Sequence, residues 1–296
     1  MSEKPDIAIV GPGRVGTALG ICAARAGYIV TTVAGRNAAN TRQAAADIGA
    51  PAAPADLDAV NLTEGLVFLT VPDDAIGPVC RQLVRRSAIA GRSTIVHCSG
   101  ALGSSVLQPA ADLGCPVASM HPLQTFPDAA SGAEKLADAF IFCQGDQAAL
   151  ELLLPLAERI ARKVKVVSAE GKTLYHAAAV TACNYLVGLL DASLATAELA
   201  GIDRATAWEA LEPLVRATVD NTARIGTESA LTGPVARGDV QTLANHLSAL
   251  SDAPAALQRL YRAAGAWTAE LAGRKGTIDR DRREQILQLL AKEAKD

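Results

Sequence analysis

Three glycines, Gly11, Gly13 and Gly16, stand in G-x-G-x-x-G order within DIAIVGPGRVGTALG, with Pro12, Arg14 and Val15 between them. The residues before this loop read as a strand and those after it as a helix, the setting in which such a loop cradles a pyrophosphate. Gly11 permits a tight turn and Gly13 lets the backbone approach the phosphates. Gly16 allows the helix to pack closely on the strand, with the helix N-terminus facing the negative charge. About 20 residues further on, a site for NAD presents a carboxylate to the adenosine ribose. Here the second strand ends in Gly35-Arg36-Asn37. A guanidinium in place of the carboxylate suits a 2′-phosphate through charge-assisted bonds, so the expected cofactor is NADP; the other reading of Arg36 is a solvated surface charge. The missing carboxylate also counts against S-adenosylmethionine.

Two later strand ends should line the nicotinamide end of such a site. One is Val71-Pro72-Asp73, where Pro72 cannot continue a central ladder; the other is VHCSGALGSS with His97, Ser99 and Gly100. Asp73 or Asp74 reads as a helix N-cap. In EGKTLYHAAAVTACNYLVGLL, residues 170–190, Lys172, His176, Val180 and Asn184 recur every four residues, with Thr173 and Thr181 beside them. On a helix these share one face of an otherwise apolar rod. A buried imidazole or amide costs roughly a few kcal/mol unless bonded, so the stripe must face polar partners or a polar cavity. Histidine as a residue type ordinarily exchanges a proton near neutrality, so His176 is the first choice of proton donor to a carbonyl, with Asn184 orienting it; Lys172 and His121 are the next candidates, and a core role for His176 is the alternative. His121 and Gln124 in HPLQTF either face the same cleft or build an interdomain turn. Thr232, Arg237 and Asp239 lie in LTGPVARGD, where Arg237 either clamps a substrate carboxylate or caps the surface.

The elements that must position these residues follow from pattern. At 296 residues the chain favours two domains. Strand-length runs at 6–10, 28–35, 66–72, 93–100, 116–122 and 139–145 alternate with helical stretches such as 14–26 and 38–49, which predicts a largely parallel sheet. From Ser168 onward the pattern is helical only: about 170–200, 204–225, 239–250, 254–273 and 280–294. The fold class is therefore α/β, a doubly wound N-terminal domain over 1–165 followed by an all-α domain over 166–296. A net charge of -3 offers no field for nucleic acid or an anionic membrane. The six cysteines form no C-x-x-C pair and no zinc cluster, and they read as reduced thiols. No uninterrupted apolar run reaches about 18 residues and no secretory leader pattern is present, so a cytoplasmic protein is expected. A helix over 170–200 that is apolar around most of its circumference should be buried on both faces, which predicts a homodimer.

With GPGRVG, VPDDAI, HCSGALGSS, SMHPLQTFP, KTLYHAAAVTACNYLV and LTGPVARGD in this order, nearly the whole chain resembles the proteins that join a Rossmann-like domain to a DUF2520 domain. That family lies within the wider group of 6-phosphogluconate, 3-hydroxyisobutyrate and pyrroline-5-carboxylate dehydrogenases or reductases. The resemblance implies an NADP-dependent oxidoreductase of a small carbonyl acid that pairs through its helical domain, with ketopantoate the leading substrate because some members are similar to an alternative ketopantoate reductase. In the wider group the first long helix of the second domain carries a catalytic Lys and Asn; here His176 lies closest to that lysine's place, one turn after Lys172. An imine or pyrroline-5-carboxylate reductase is the rival enzyme, and a non-catalytic NADP-binding sensor the rival of another class.

Overall fold

The computed structural model describes residues 4–51 and 62–291. The chain divides into two compact units between Ala182 and Cys183. The first is built on a seven-stranded sheet, with strands β1 (Ile7–Val10), β2 (Val30–Ala34), β3 (Leu62–Leu69), β4 (Ile89–His97), β5 (Val117–Leu123), β6 (Phe140–Gly145) and β7 (Lys163–Val166). Their order is β2-β1-β3-β4-β5-β6-β7, parallel except for the antiparallel pair β5 and β6. Helices α1 (Arg14–Arg25), α2 (Ala38–Ile48), α3 (Asp73–Arg85), α4 (Gln108–Ala111), α5 (Ala129–Leu136) and α6 (Gln147–Ile160) connect them.

Strand alternation sorts the core into two layers. Ile7, Ile9, Phe68, Val96 and Met120 join the apolar faces of α1, α2, α5 and α6; Ala8, Val10, Val67, Leu69 and Ile95 join those of α3 and α4. A central strand buried on both faces is apolar at every position, as IAIV is in β1. Each fully buried side chain such as Ile9 or Phe68 contributes roughly 2 kcal/mol of transfer free energy. β7 is absent from the sequence expectation because KVKV is short and mostly exposed, so neither length nor an apolar run marks it.

Helix α7 (Ala169–Ala179) begins at the Ser168 cap, whose hydroxyl accepts from the Gly171 amide at 3.1 Å, and ends in a π-turn at Val180–Asn184. In the second unit follow α8 (Tyr185–Leu199), α9 (Arg204–Ala230), α10 (Gly233–Ala236), α11 (Val240–Ala249), α12 (Ala255–Lys275) and α13 (Arg280–Ala291). Gly226 breaks α9, with φ 79° and ψ 165°, where the sequence predicts that helix to stop. Val235, Leu243, Ala269, Ala272, Ile286 and Leu290 form this unit's own small core.

Within one chain the helix over 169–199 is not buried on both faces: Lys172 is its single buried residue, while Leu174, Tyr185 and Val187 are 74, 66 and 67 % exposed. The same segment, with a mean hydropathy of 1.4, is the one helix among the described residues long and apolar enough to cross a membrane. Polar residues interrupt its apolar runs, so a search for unbroken runs passes over it, whereas its average hydropathy does not.

Candidate active site

At the carboxyl edge of the sheet, the loop after β1 opens a cleft of about 810 Å³ lined by Gly11, Gly13, Gly35, Arg36, Val71 and Pro72, among others. Gly11 has φ +86°, and a side chain there would collide with Val71. Gly16 sits so close to Thr70 and Ile9 that a Cβ would push α1 off the sheet. At Gly13, by contrast, a Cβ would meet nothing within 4 Å. Gly13 is the N-cap of α1 and offers no side chain, so the helix's first amides are left for an anion in that open space. The Thr70 hydroxyl donates to the Gly11 carbonyl at 2.7 Å and pins the turn. These features fit a dinucleotide pyrophosphate.

The end of β2 is shaped with equal tightness. Gly35 lies against Pro12 and Thr41, with a Cβ 2.7 Å from Pro12 Cδ. Asn37 caps α2 by accepting from the Asn40 amide at 3.0 Å, and its carbonyl accepts from the Thr41 hydroxyl at 2.8 Å. Arg36 remains exposed on the cleft wall. Arg14 donates to the Phe126 carbonyl at 3.4 Å, and Val15 is half-buried on the first turn of α1.

Further along the edge, β4 ends at the fully buried His97. Its Nδ1 accepts from the Ser99 amide at 3.2 Å, so the ring proton lies on Nε2, which donates to the Gly103 carbonyl at 3.1 Å. Burial, reinforced by the nearby Lys172 charge, brings its pKa down to about 4 and keeps it neutral. The Ser99 hydroxyl donates to Asp73 Oδ2 at 2.8 Å and accepts from the amides of Ala101 and Leu102 at 3.1 and 3.0 Å. Its one proton and both lone pairs are engaged and its amide is given to His97, so of Ser99 only the backbone carbonyl is left for a ligand. Neither Asp73 nor Asp74 is an N-cap: Pro72 holds that position and both aspartates lie in the first turn of α3, where the helix dipole favours a carboxylate.

β5 extends past the end of β4 and carries His121 beyond it. The Tyr175 hydroxyl lies 2.7 Å from His121 Nδ1, and the phenol stacks on Phe142 with ring centroids 4.4 Å apart. His121 and His176 meet edge to face at 5.9 Å. Gly100 lies against both rings: a Cβ there would collide with His176 Cδ2 and stand 2.8 Å from His121 Nε2. Burial is the chief cause that lowers the His121 pKa to about 4, aided by Lys172.

Lys172 is 1 % exposed and its Nζ has no hydrogen-bond partner among the described residues. It stands 5.8 Å from the centre of the Tyr175 ring. Burial brings its pKa down to about 8, opposed by Cys98, Cys143 and Asp73. Both thiols are themselves pushed up to about 12 by burial and stay neutral at physiological pH, so of these three groups only the Asp73 carboxylate offers the lysine a counter-charge. A buried ammonium whose pKa approaches neutrality is a group that gives up its proton readily.

Ser99, His121, Lys172 and His176 of the expected site residues therefore meet in the first unit. Gln124 is half-buried there and turns its amide oxygen back onto the Thr125 amide at 2.8 Å. Asn184, Thr232 and Arg237 belong to the second unit: Asn184 closes the π-turn, Thr232 is the N-cap of α10 and Arg237 its C-cap. The fourfold spacing that joins Lys172 to His176 does not carry on to Asn184, because the π-turn replaces α-pitch with i→i+5 bonds at Val180–Asn184. Such turns occur frequently at functional sites. Tyr175 and the close fit of Gly100 are additions to the sequence reading; the one available cue was that Tyr175 lies one turn from Lys172, on the same face.

Residues 2–122 match the Rossmann-like domain family, and residues 139–268 match a domain of unknown function, DUF2520. Comparison with curated proteins gave no match. Among solved structures, protein TM1727 from Thermotoga maritima is 27 % identical with a TM-score of 0.74, over 91 % of this chain and 99 % of that one. A candidate NADP oxidoreductase from Bacteroides fragilis, BF3122, is 22 % identical with a TM-score of 0.70, over 90 % of this chain and 98 % of that one. An imine reductase from Streptomyces aurantiacus is 19 % identical with a TM-score of 0.59, over 97 % and 100 %. The chain thus carries, in order, a match to the Rossmann-like domain family and a match to the DUF2520 family, the arrangement that its sequence resembles.

Proposed function

We propose that this protein is an NADPH-dependent reductase of a small carbonyl acid, with ketopantoate the first candidate substrate. The observation that carries the reading is the buried, unpartnered Nζ of Lys172 beside His97 and His121, at the sheet edge that also holds the glycine turn. A binding-only sensor needs the glycine turn and has no use for a buried ammonium without a hydrogen-bond partner, which is costly to keep. Gly11, Pro12, Gly13 and the first turn of α1 hold the pyrophosphate, and Arg36 takes the 2′-phosphate. When bound, NADPH supplies the hydride.

The rest of the chemistry belongs to the chain. Lys172 gives its proton to the substrate oxygen, a role its pKa of about 8 supports and one that moves the first choice from His176 to the residue one turn earlier. His121 polarises the carbonyl from a neutral ring, and His176 closes the site over Gly100. Gln124 is the first unit's own candidate for the substrate carboxylate, while Asn184, Thr232 and Arg237 of the second unit are proposed for substrate binding from the sequence alone. An imine substrate is the second reading, because an ammonium of this pKa protonates nitrogen as readily as oxygen; the Bacteroides and Streptomyces proteins share the fold in which both kinds of reduction are expected. We further infer that the protein is a cytoplasmic homodimer in which a second copy covers the apolar positions of α8 and α9. Exposed Tyr185, Val187, Leu214 and Val219 support this. Glu212, Arg216 and Asp220 on α9 suit a protein interface and not hydrocarbon. A screen of NADPH oxidation over small keto acids and cyclic imines tests the reading: turnover of at least one supports it, and binding of NADPH without any turnover overturns it.

A further inference from the structure

We propose that Tyr175 sets the ring tautomer of His121, so that His121 presents its Nε2–H to the oxygen or nitrogen of the bond being reduced. The role of that proton rests on the reductase reading; the tautomer rests on geometry alone.

Only one of the two groups in the 2.7 Å contact between Tyr175 Oη and His121 Nδ1 can donate. If Nδ1–H donated, the phenol proton would have no acceptor among the described residues. Burial raises the phenol's pKa and so keeps that proton in place. If the phenol donates, both groups are satisfied and the neutral ring must carry its proton on Nε2. Phe142 holds the phenol by stacking at 4.4 Å, and Phe142 is also the residue paired with His121 across the β5–β6 ladder. One strand pair thus fixes both ends of the contact.

His97 supplies the contrast. It has the same tautomer, set by the Ser99 amide, but its Nε2–H is used on the Gly103 carbonyl. His121 Nε2 has no hydrogen-bond partner among the described residues and faces Gly100, where no side chain intervenes. A lone pair at that atom would repel a substrate carbonyl; a proton there polarises it, as a neutral electrophile beside the Lys172 acid. Tyr175 is therefore a positioning residue, acting through His121.

The full-length chain has four histidines, so nitrogen-15 labelling of histidine gives a spectrum that can be assigned with a His121→Gln control. At neutral pH the wild-type His121 should show an unprotonated Nδ1 and a protonated Nε2. In Tyr175→Phe a population with Nδ1–H should appear, and turnover should fall by about tenfold with the KM for NADPH unchanged. A wild-type ring protonated on Nδ1 overturns the proposal, and that spectrum decides even if the variant fails to fold. A Tyr175→Phe spectrum identical to wild type overturns it equally. An Nε2–H ring in a protein that reduces no keto acid or imine sinks the reductase reading and leaves the tautomer assignment standing.

Discussion

Gly100 lies directly against His176, so close that a Cβ on the glycine would overlap the imidazole Cδ2. The same Cβ would stand 2.8 Å from His121 Nε2, tighter than real Cβ contacts, so both rings must move if it is added. Gly100→Ala should therefore lower turnover by about tenfold or more through lost orientation, while NADPH titration remains as in wild type because the glycine turn at Gly11–Gly16 is untouched. Unchanged turnover would show that the two rings need not occupy these places.

Arg36 is exposed on the cleft wall between the tight Gly35 turn and the Asn37 cap. NADPH should bind at least about ten times tighter than NADH, and Arg36→Ala should remove most of that preference by weakening NADPH alone. Calorimetric titration of both cofactors against both proteins checks this; equal affinities in the native protein would refute the assignment.

Lys172 should make stability depend on alkaline pH. Its pKa falls from 10.5 in the unfolded chain to about 8 in the fold, so between these values the unfolded state binds the extra proton. Stability then rises as pH increases from about 8 to 10.5 and is lost again as pH falls through 8, by up to about 3 kcal/mol for a group this buried. Lys172→Met should flatten that rise and raise the melting temperature at pH 7. His97 and His121, lowered from 6.5 to about 4, should cost stability as pH drops across that window. Urea melts of the two proteins across pH 4 to 10.5 measure both effects, and parallel pH curves would contradict the burial of this ammonium.

The exposed apolar positions of α8 and α9 should be covered by a second copy. Light scattering at micromolar concentration should give twice the chain mass of 30.5 kDa. A monomeric mass would leave Tyr185 and Leu214 in water without a reason.

Much of the fold was legible because its cues are local. The glycine spacing, the apolar run of β1 and the helix-only pattern after Ser168 each lie within a few residues of one another, and Gly226 stops a helix where the sequence says it should. The site was legible by region and less so by role. Lys172 and His176 lie on one helical face, but which of them is buried is decided by what packs there from β4, β5 and β6, and no spacing reveals that. Ser99 reads as a ligand group until its hydroxyl is seen to be used up by Asp73 and two amides. Tyr175 reads as an aromatic of the core until its hydroxyl is placed on His121. The π-turn at Val180–Asn184 has no pattern of its own, since it differs from α-helix only in which carbonyl each amide reaches.

The most direct test is the pH dependence of NADPH oxidation, with an active keto acid or imine, by wild type and Lys172→Met. With Lys172 as the proton donor, wild-type turnover should fall as pH rises through about 8, where the ammonium is lost, and Lys172→Met should be slower by about a hundredfold while still binding NADPH. Turnover in Lys172→Met close to wild type, with the same fall above pH 8, would contradict the assignment and return the role of proton donor to His176.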